Sequence, residues 1–437
     1  MSRSRNMADL LDSNGDVKVG ALDNVVIPQV DDEIVISATA PSSPTEGQVW
    51  YDTGLDILKA YDGTNWNKVS PIVPIISSIS GTIYEAIGGN ITITGTGFLS
   101  NECSVEFSGG FTTTSVNVTA SNDTSLVVAV PAAAYASSGT VTVKVTNSDN
   151  SESASSTFIV AGLPTGGTIT TSGGYRYHKF TSSGSFTVPS GFSSNADVLI
   201  VAGGGSGGNC SGNNGAGAGG GGAGGLLYLT NQSFSTNNYT VTVGAGGAAK
   251  TGVATNQLGN NGSNSSVFNS TAIGGGGGGG DNTTYAGSGG SGGGATCNDF
   301  PGSRTSGQGN AGGDDAGCGA GGGGGAGAAG QNGGQCGSNN DAGNGGIGLQ
   351  YSTFATATSS GDSGYYAGGG GGGQSDSTSY HRGIGGLGGG GDGSYFNSAT
   401  STSGDVNTGG GGGGSSAYDT SQGAAGGSGI VIIRYQL

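Results

Sequence analysis

Few residues in this sequence could carry out chemistry. It has two histidines, His178 and His381, and neither sits beside a nucleophile motif. Glycan hydrolysis needs a pair of carboxylates. In the C-terminal region the adjacent pair is Asp314-Asp315, and neighbouring acids in a glycine loop read as a solvated turn. Asp12-Ser-Asn14-Gly-Asp16 begins like a calcium loop. However, Val17 stands where the sharp turn needs glycine, and Asp23 where a bidentate Glu belongs. Gly203-Gly-Gly205-Ser-Gly-Gly208 has dinucleotide-loop spacing, but no helix pattern and no ribose-binding acid follow it. The five cysteines, Cys103, Cys210, Cys297, Cys318 and Cys336, lack metal-ligand spacing, and their odd number completes no disulfide framework. The reading is therefore non-enzymatic, with no cofactor and no metal. What remains is recognition chemistry. Tyr365-Tyr366, Tyr380-His381-Arg382 and Tyr395-Phe396 punctuate glycine tracts, with Asp362, Asp376 and Asp392 close by. Tyrosine offers a large contact area and a hydroxyl at low entropy cost. Loops held on a rigid scaffold are where recognition residues concentrate. These aromatics either bind a receptor or cap the tract ends, and Tyr380–Arg382 is the strongest candidate for binding.

The elements that must position these residues are unusual. Glycine supplies 101 of 437 residues, while 32% are apolar and 9% charged. Disordered chains are also poor in apolar residues, but they are rich in charge and proline, and this one has 9 prolines. The net charge of −16 excludes nucleic acid as a partner and implies solubility and self-repulsion. All six glutamates lie at or before Glu152. The N-terminus lacks the apolar core of a signal peptide, and no apolar run is long enough to span a membrane, so no membrane insertion is expected.

Residues 1–30 read as an extended arm, with one short helix near Arg5–Leu11. Residues 31–71 form a small β module in which Trp50 and Trp66, the two tryptophans of the chain, supply the core. Its order of Trp50-Tyr-Asp-Thr53 followed by Tyr61-Asp-Gly-Thr-Asn-Trp66 resembles a β module recurrent in phage tail fibres and other virion proteins. Residues 72–162 carry strand-like runs at the spacing of a β-sandwich. The stretch Gly88-Gly-Asn-Ile-Thr-Ile-Thr-Gly-Thr-Gly-Phe98, followed by Val141-Thr-Val-Lys-Val145, resembles an IPT/TIG immunoglobulin-like domain. In it Gly95 and Gly97 allow a tight bend and Phe98 plugs the end. Such a domain reads as a spacer.

Residues 163–437 alternate apolar β segments with glycine tracts. The segments are Tyr175–Phe180, Ser185–Val188, Asp197–Ala202, Gly225–Leu229, Asn238–Val243, Val267–Ile273 and Gly429–Tyr435. A flexible linker has no use for apolar strands at both ends, so these are expected to pair and close a folded unit. Ordering glycine costs about 1–2 kcal/mol per residue, and without side chains only backbone hydrogen bonds can offset it. Polyproline-II chains, with three residues per turn and no internal hydrogen bonds, satisfy one another when packed side by side. Gly215–Gly225 and Ala320–Gly330 contain only Gly and Ala, as close packing requires. The expected fold class is all-β: a small β module, an Ig-like sandwich, then β segments enclosing a polyglycine-II helix bundle. Phe186-Thr-Val-Pro-Ser-Gly191, Ala196-Asp-Val-Leu-Ile-Val-Ala-Gly-Gly-Gly205 and the ending Gly429-Ile-Val-Ile-Ile-Arg-Tyr435 resemble the glycine-rich domain of phage tail fibres and adhesins.

That resemblance implies a virion tail appendage made in the host cytoplasm. It would dock through residues 1–30 to a tail or adaptor protein, as a homotrimer. Loops of the glycine-rich domain would contact a host glycan or outer-membrane protein. The alternatives are a decorating fibre of capsid, neck or tail without receptor specificity, and a secreted bacterial adhesin.

Overall fold

The structure is a computed structural model. It describes residues 34–55, 57–69, 72–99, 103–118, 122–148, 150–210, 217–250, 257–280, 285–296, 299–316, 319–335, 341–374, 381–395, 400–416 and 422–437. The helix expected near Arg5–Leu11 and the Asp12–Asp16 turn lie outside these. The chain divides into two compact units, Met1–Val160 and Ala161–Leu437, and is almost entirely β.

The first unit opens with a four-stranded sheet of β1 (Val35–Ser37), β2 (Val49–Asp52), β3 (Ile57–Tyr61) and β4 (Trp66–Lys68), in that order. Trp50 is 4% exposed. Trp66 meets it edge-on at 5.4 Å. Lys59 lies over the Trp50 ring and pairs with Asp52 at 2.9 Å. Trp50 and Ile57 are the buried apolar residues of this small sheet, and Trp66 is half-buried against Trp50.

The rest of the unit is a sandwich. One sheet runs β10 (Ser125–Ala129), β7 (Asn90–Thr96), β5 (Ile75–Ser80); the other runs β6 (Ile83–Tyr84), β12 (Ser156–Ala161), β11 (Gly139–Asn147), β8 (Cys103–Ser108), β9 (Thr114–Val118). Alternate residues point inward, as the two-residue period dictates. Ile91, Ile93, Val105, Phe107, Leu126 and Val143 are fully buried in one cluster. A Cβ on Gly95 would overlap the Ile75 carbonyl, Gly97 sits at φ +74°, and Phe98 is buried between the sheets. The bend expected from these residues is the one formed.

In the second unit a five-stranded sheet runs β13 (Thr168–Ser172), β14 (Tyr175–Phe180), β21 (Ile430–Gln436), β15 (Gly184–Val201), β16 (Leu226–Val241). β21 pairs antiparallel with both β14 and β15, with Val201 opposite Ile430 and Ala196 opposite Tyr435. The two ends of the region therefore close on each other, as their apolar sequences require. Two sequence segments, Ser185–Val188 and Asp197–Ala202, prove to be parts of one 18-residue strand whose register shifts between Val188 and Ser193. The segment Val267–Ile273 is not one strand but a hairpin, β17 (Ser265–Val267) and β18 (Ser270–Ala272). Phe268 and Asn269 turn it at φ +50° and +60°. This strained turn places the Phe268 ring 4.7 Å from Tyr239 and 6.0 Å from Phe186. A short helix α1 (Ser352–Thr358) lies between β19 (Leu349–Gln350) and β20 (Tyr365–Tyr366). Lys179 Nζ donates to the Thr358 carbonyl and Thr170 Oγ1 to that of Ala357, filling acceptors the helix end leaves open.

Between these elements run the glycine tracts, and their hydrogen bonds repeat every three residues. In tract 203–208, Gly203 and Ser206 donate to Ser263 and Asn260; Gly204 and Gly207 donate to Gly427 and Ala424; Gly205 and Gly208 donate to Gly222 and Gly219. Each residue thus faces a different neighbouring tract from the one before it. Tract 217–225 does the same toward 409–415, 273–279 and 321–324. None of the glycines in tracts 203–208 and 217–225 is in the left-handed region. This is polyproline-II geometry with the backbone fully paired laterally. A Cβ on Gly205 would overlap the Gly276 carbonyl, and one on Gly207 that of Gly413. Alanine fits where the packing leaves room, and Ala218 and Ala223 are wholly buried.

Candidate functional site

The bonding pattern gives the bundle two different ends. At the sheet end, tracts reverse through described turns, such as Thr305–Gln308, Gly325–Ala328 and Asp405–Thr408. At the opposite end stand the tract residues Asn209, Gly219, Gly279, Ala295, Gln374 and Ser415, each bonded to a neighbouring tract, and we call this end apical.

The sequence candidates divide between the two ends. Tyr365 and Tyr366 lie at the sheet end, where β20 pairs with β19. Tyr366 is completely buried among Tyr177, Leu199, Phe354 and Ile432. Its hydroxyl is 2.8 Å from Ser360 Oγ, and burial raises its pKa. Tyr366 is a packing residue with no surface to offer a receptor, and Tyr365 is half-buried beside it. The apolar neighbours that bury them are distant in sequence, which is why the glycine context misled.

His381, Arg382 and Tyr395 are apical. Arg382 Nη2 donates to Asp392 at 2.7 Å, and its guanidinium lies 4.7 Å from the centre of the Tyr395 ring. Asp392 also accepts from the Gly385 amide. His381 Nδ1 is 3.0 Å from Asp341, and its side chain is 79% exposed. The structure therefore joins Arg382 and Tyr395 in one group. Tyr380 and Phe396 lie outside the described residues, as does Asp376.

One apical pair was not singled out from sequence. Tyr285 and Phe300 stack at 5.4 Å with 26° between their planes, and are 61% and 58% exposed. A bridge between residues 285 and 300 sets their register. Each stands alone among glycines and polar residues 15 positions apart, so only the pairing of tracts brings them together. Between this pair and Tyr395 lie tracts 274–280, 217–225 and 367–374, linked laterally through Gly287–Gly277, Gly219–Gly279, Gly373–Ala218 and Gln374–Ser394. The apical end thus offers two separate aromatic groups, one apolar and one carrying cation and carboxylate.

Asp314 accepts from the Asp315 amide within an apical turn. His178 is fully buried in the sheet. Its Nδ1 donates to the Gly166 carbonyl at 2.8 Å, leaving Nε2 to accept from the Tyr435 hydroxyl. Burial lowers its pKa to about 4. Among the described residues no group of three or more His, Cys, Asp or Glu could hold a metal. Cys103 and Cys210 are buried, with their sulfurs 3.1 Å from Asn147 Oδ1 and 3.9 Å from Thr296 Oγ1; the other three cysteines lie outside the described residues. No helix among them is long and apolar enough to cross a membrane.

A glycine-rich domain family model matches residues 179–436, more than half of the chain, and an IPT/TIG domain model matches residues 74–160. The chain belongs to the glycine-rich domain family, with an Ig-like IPT/TIG domain ahead of that region. No curated protein matches it. A crystal structure of the chicken CNTN1 FN1–FN3 domains is similar at 14% identity, over 42% of this chain and 69% of that one. Its TM-score of 0.17 makes this too slight a likeness to bear on the fold.

Proposed function

We propose that the chain is a bacteriophage tail fibre, or a related virion appendage, that grips the host surface with the apical end of its glycine-rich domain. The observation that carries this reading is the segregation of the two bundle ends. The sheet end is closed by a packed apolar core, while the apical end carries an exposed aromatic stack and the half-buried Arg382–Asp392–Tyr395 group. Aromatic and arginine side chains dominate binding energy at interfaces, and here they stand on a rigid backbone lattice. The sandwich and small module act as spacers, and residues 1–30 would dock to a tail or adaptor protein. Assembly as a homotrimer on the virion, with several copies per particle, would raise avidity without any covalent step.

The test is binding of the purified chain to cells of a strain the virion infects, with protection from infection as a second readout. Replacing both Tyr285 and Phe300 by Ala, or Arg382 by Ala, is expected to weaken cell binding about tenfold or more while leaving the thermal transition in place. A chain that neither binds such cells nor blocks infection overturns receptor binding, and leaves a structural fibre.

A further inference from the structure

A second recessed surface lies away from the apical end. β21 enters the sheet from the tracts at Ile430, and its other end, Arg434–Gln436, forms one wall of an open cleft of about 800 Å³. The opposite wall is the bend of the β15–β16 ribbon, around Ser193–Asn195 and Ser233–Ser235, where the register shifts. The floor is aromatic: Phe234 and Tyr435 are buried 5.5 Å apart, with Phe192 beside them. The cleft volume is that of a small-ligand site.

Its chemistry is specific. Arg434 makes two hydrogen bonds to Asp197, at 3.1 and 2.9 Å, and is held between Tyr175 and Phe354. That pair brings one donor-rich and one acceptor-rich group to the cleft with no net charge, which disfavours a charged ligand of either sign. Asp197 Oδ1 also accepts the Asn231 amide across the strand, and Asn231 is held at φ +56°. The side-chain amides of Asn195 and Asn231 and the hydroxyls of Ser193 and Ser233 are exposed and make no hydrogen bond among the described residues. Two amides that both donate and accept, free hydroxyls, a neutralised ion pair and an aromatic floor match a polyhydroxylated, uncharged ligand.

We infer that this cleft binds a neutral sugar residue. It is separate from the apical surface, so either site can fail without the other. Saturation-transfer NMR on the full chain, with the methyl glycosides of glucose, galactose, mannose and N-acetylglucosamine as probes, tests it. Saturation transfer to at least one probe is expected, with affinity falling about tenfold when Asn195→Ala is combined with Asn231→Gly. Glycine at 231 keeps the left-handed backbone, so the pair removes the amides alone. The inference is overturned by no transfer to any of the four, by transfer that the paired variant leaves unchanged, or by preference for an anionic methyl glucuronoside.

Discussion

The two folded regions solve one problem in opposite ways. The Ig-like sandwich buries side chains: Phe107, Leu126 and Val143 fill the space between sheets, and the backbone pairs only along strands. The glycine bundle buries backbone. Gly205 meets Gly222 on one side and accepts from Gly412 on another, with no side chain between tracts. A sandwich can repack around a changed side chain, because side chains have rotamers to adjust. A lattice of backbone carbonyls has none, so the bundle should be far less tolerant of added volume. Rigidity of that kind suits a scaffold that holds side chains in place at its end.

The sharpest way to break this contrast is to add a side chain where a tract is closed. Gly207→Val forces two branches into the Gly413 carbonyl. It is expected to cost more than about 4 kcal/mol, seen by calorimetry as loss of the C-terminal transition while the sandwich transition remains. Next comes Phe107→Ala, which opens the sandwich core and is expected to cost about 3–5 kcal/mol, within the ordinary range for a cavity. A third effect concerns His178, whose pKa falls to about 4 in the fold from about 6.5 unfolded. As pH drops through this window the unfolded chain takes up a proton that the folded chain refuses. Stability present above pH 6.5 should therefore fall by about 3 kcal/mol on reaching pH 4. His178→Phe should remove that part of the decline in calorimetric scans across the window. The smallest effect is expected at Gly110, where an added Cβ meets nothing within 4 Å; Gly110→Ala should change sandwich stability by less than about 0.5 kcal/mol.

Much of this contrast was legible in sequence. Alternation in Ile91-Thr-Ile93 and Val141-Thr-Val143 specifies strands with one buried face. The apolar runs at 197–202 and 430–435 announce a closed unit, and Gly/Ala-only stretches announce close backbone approach. Lateral order within the bundle was not legible, because glycine tracts carry no side-chain pattern to fix which tract lies beside which. For that reason the Tyr285–Phe300 stack was missed, and Tyr365-Tyr366 could not be placed at the sheet end. Neither could the hairpin at Phe268-Asn269 be read, since a left-handed Phe runs against local preference and is imposed by the aromatic cluster it joins.

The most direct test of the backbone-built core is amide hydrogen exchange on the full chain at neutral pH. Every amide in 204–208 and 219–225 has a lateral partner, so all three faces of each tract should exchange as slowly as Val198–Val201 in β15. Exchange of these glycine amides at unprotected rates, while the strands of both units stay protected, would contradict the account.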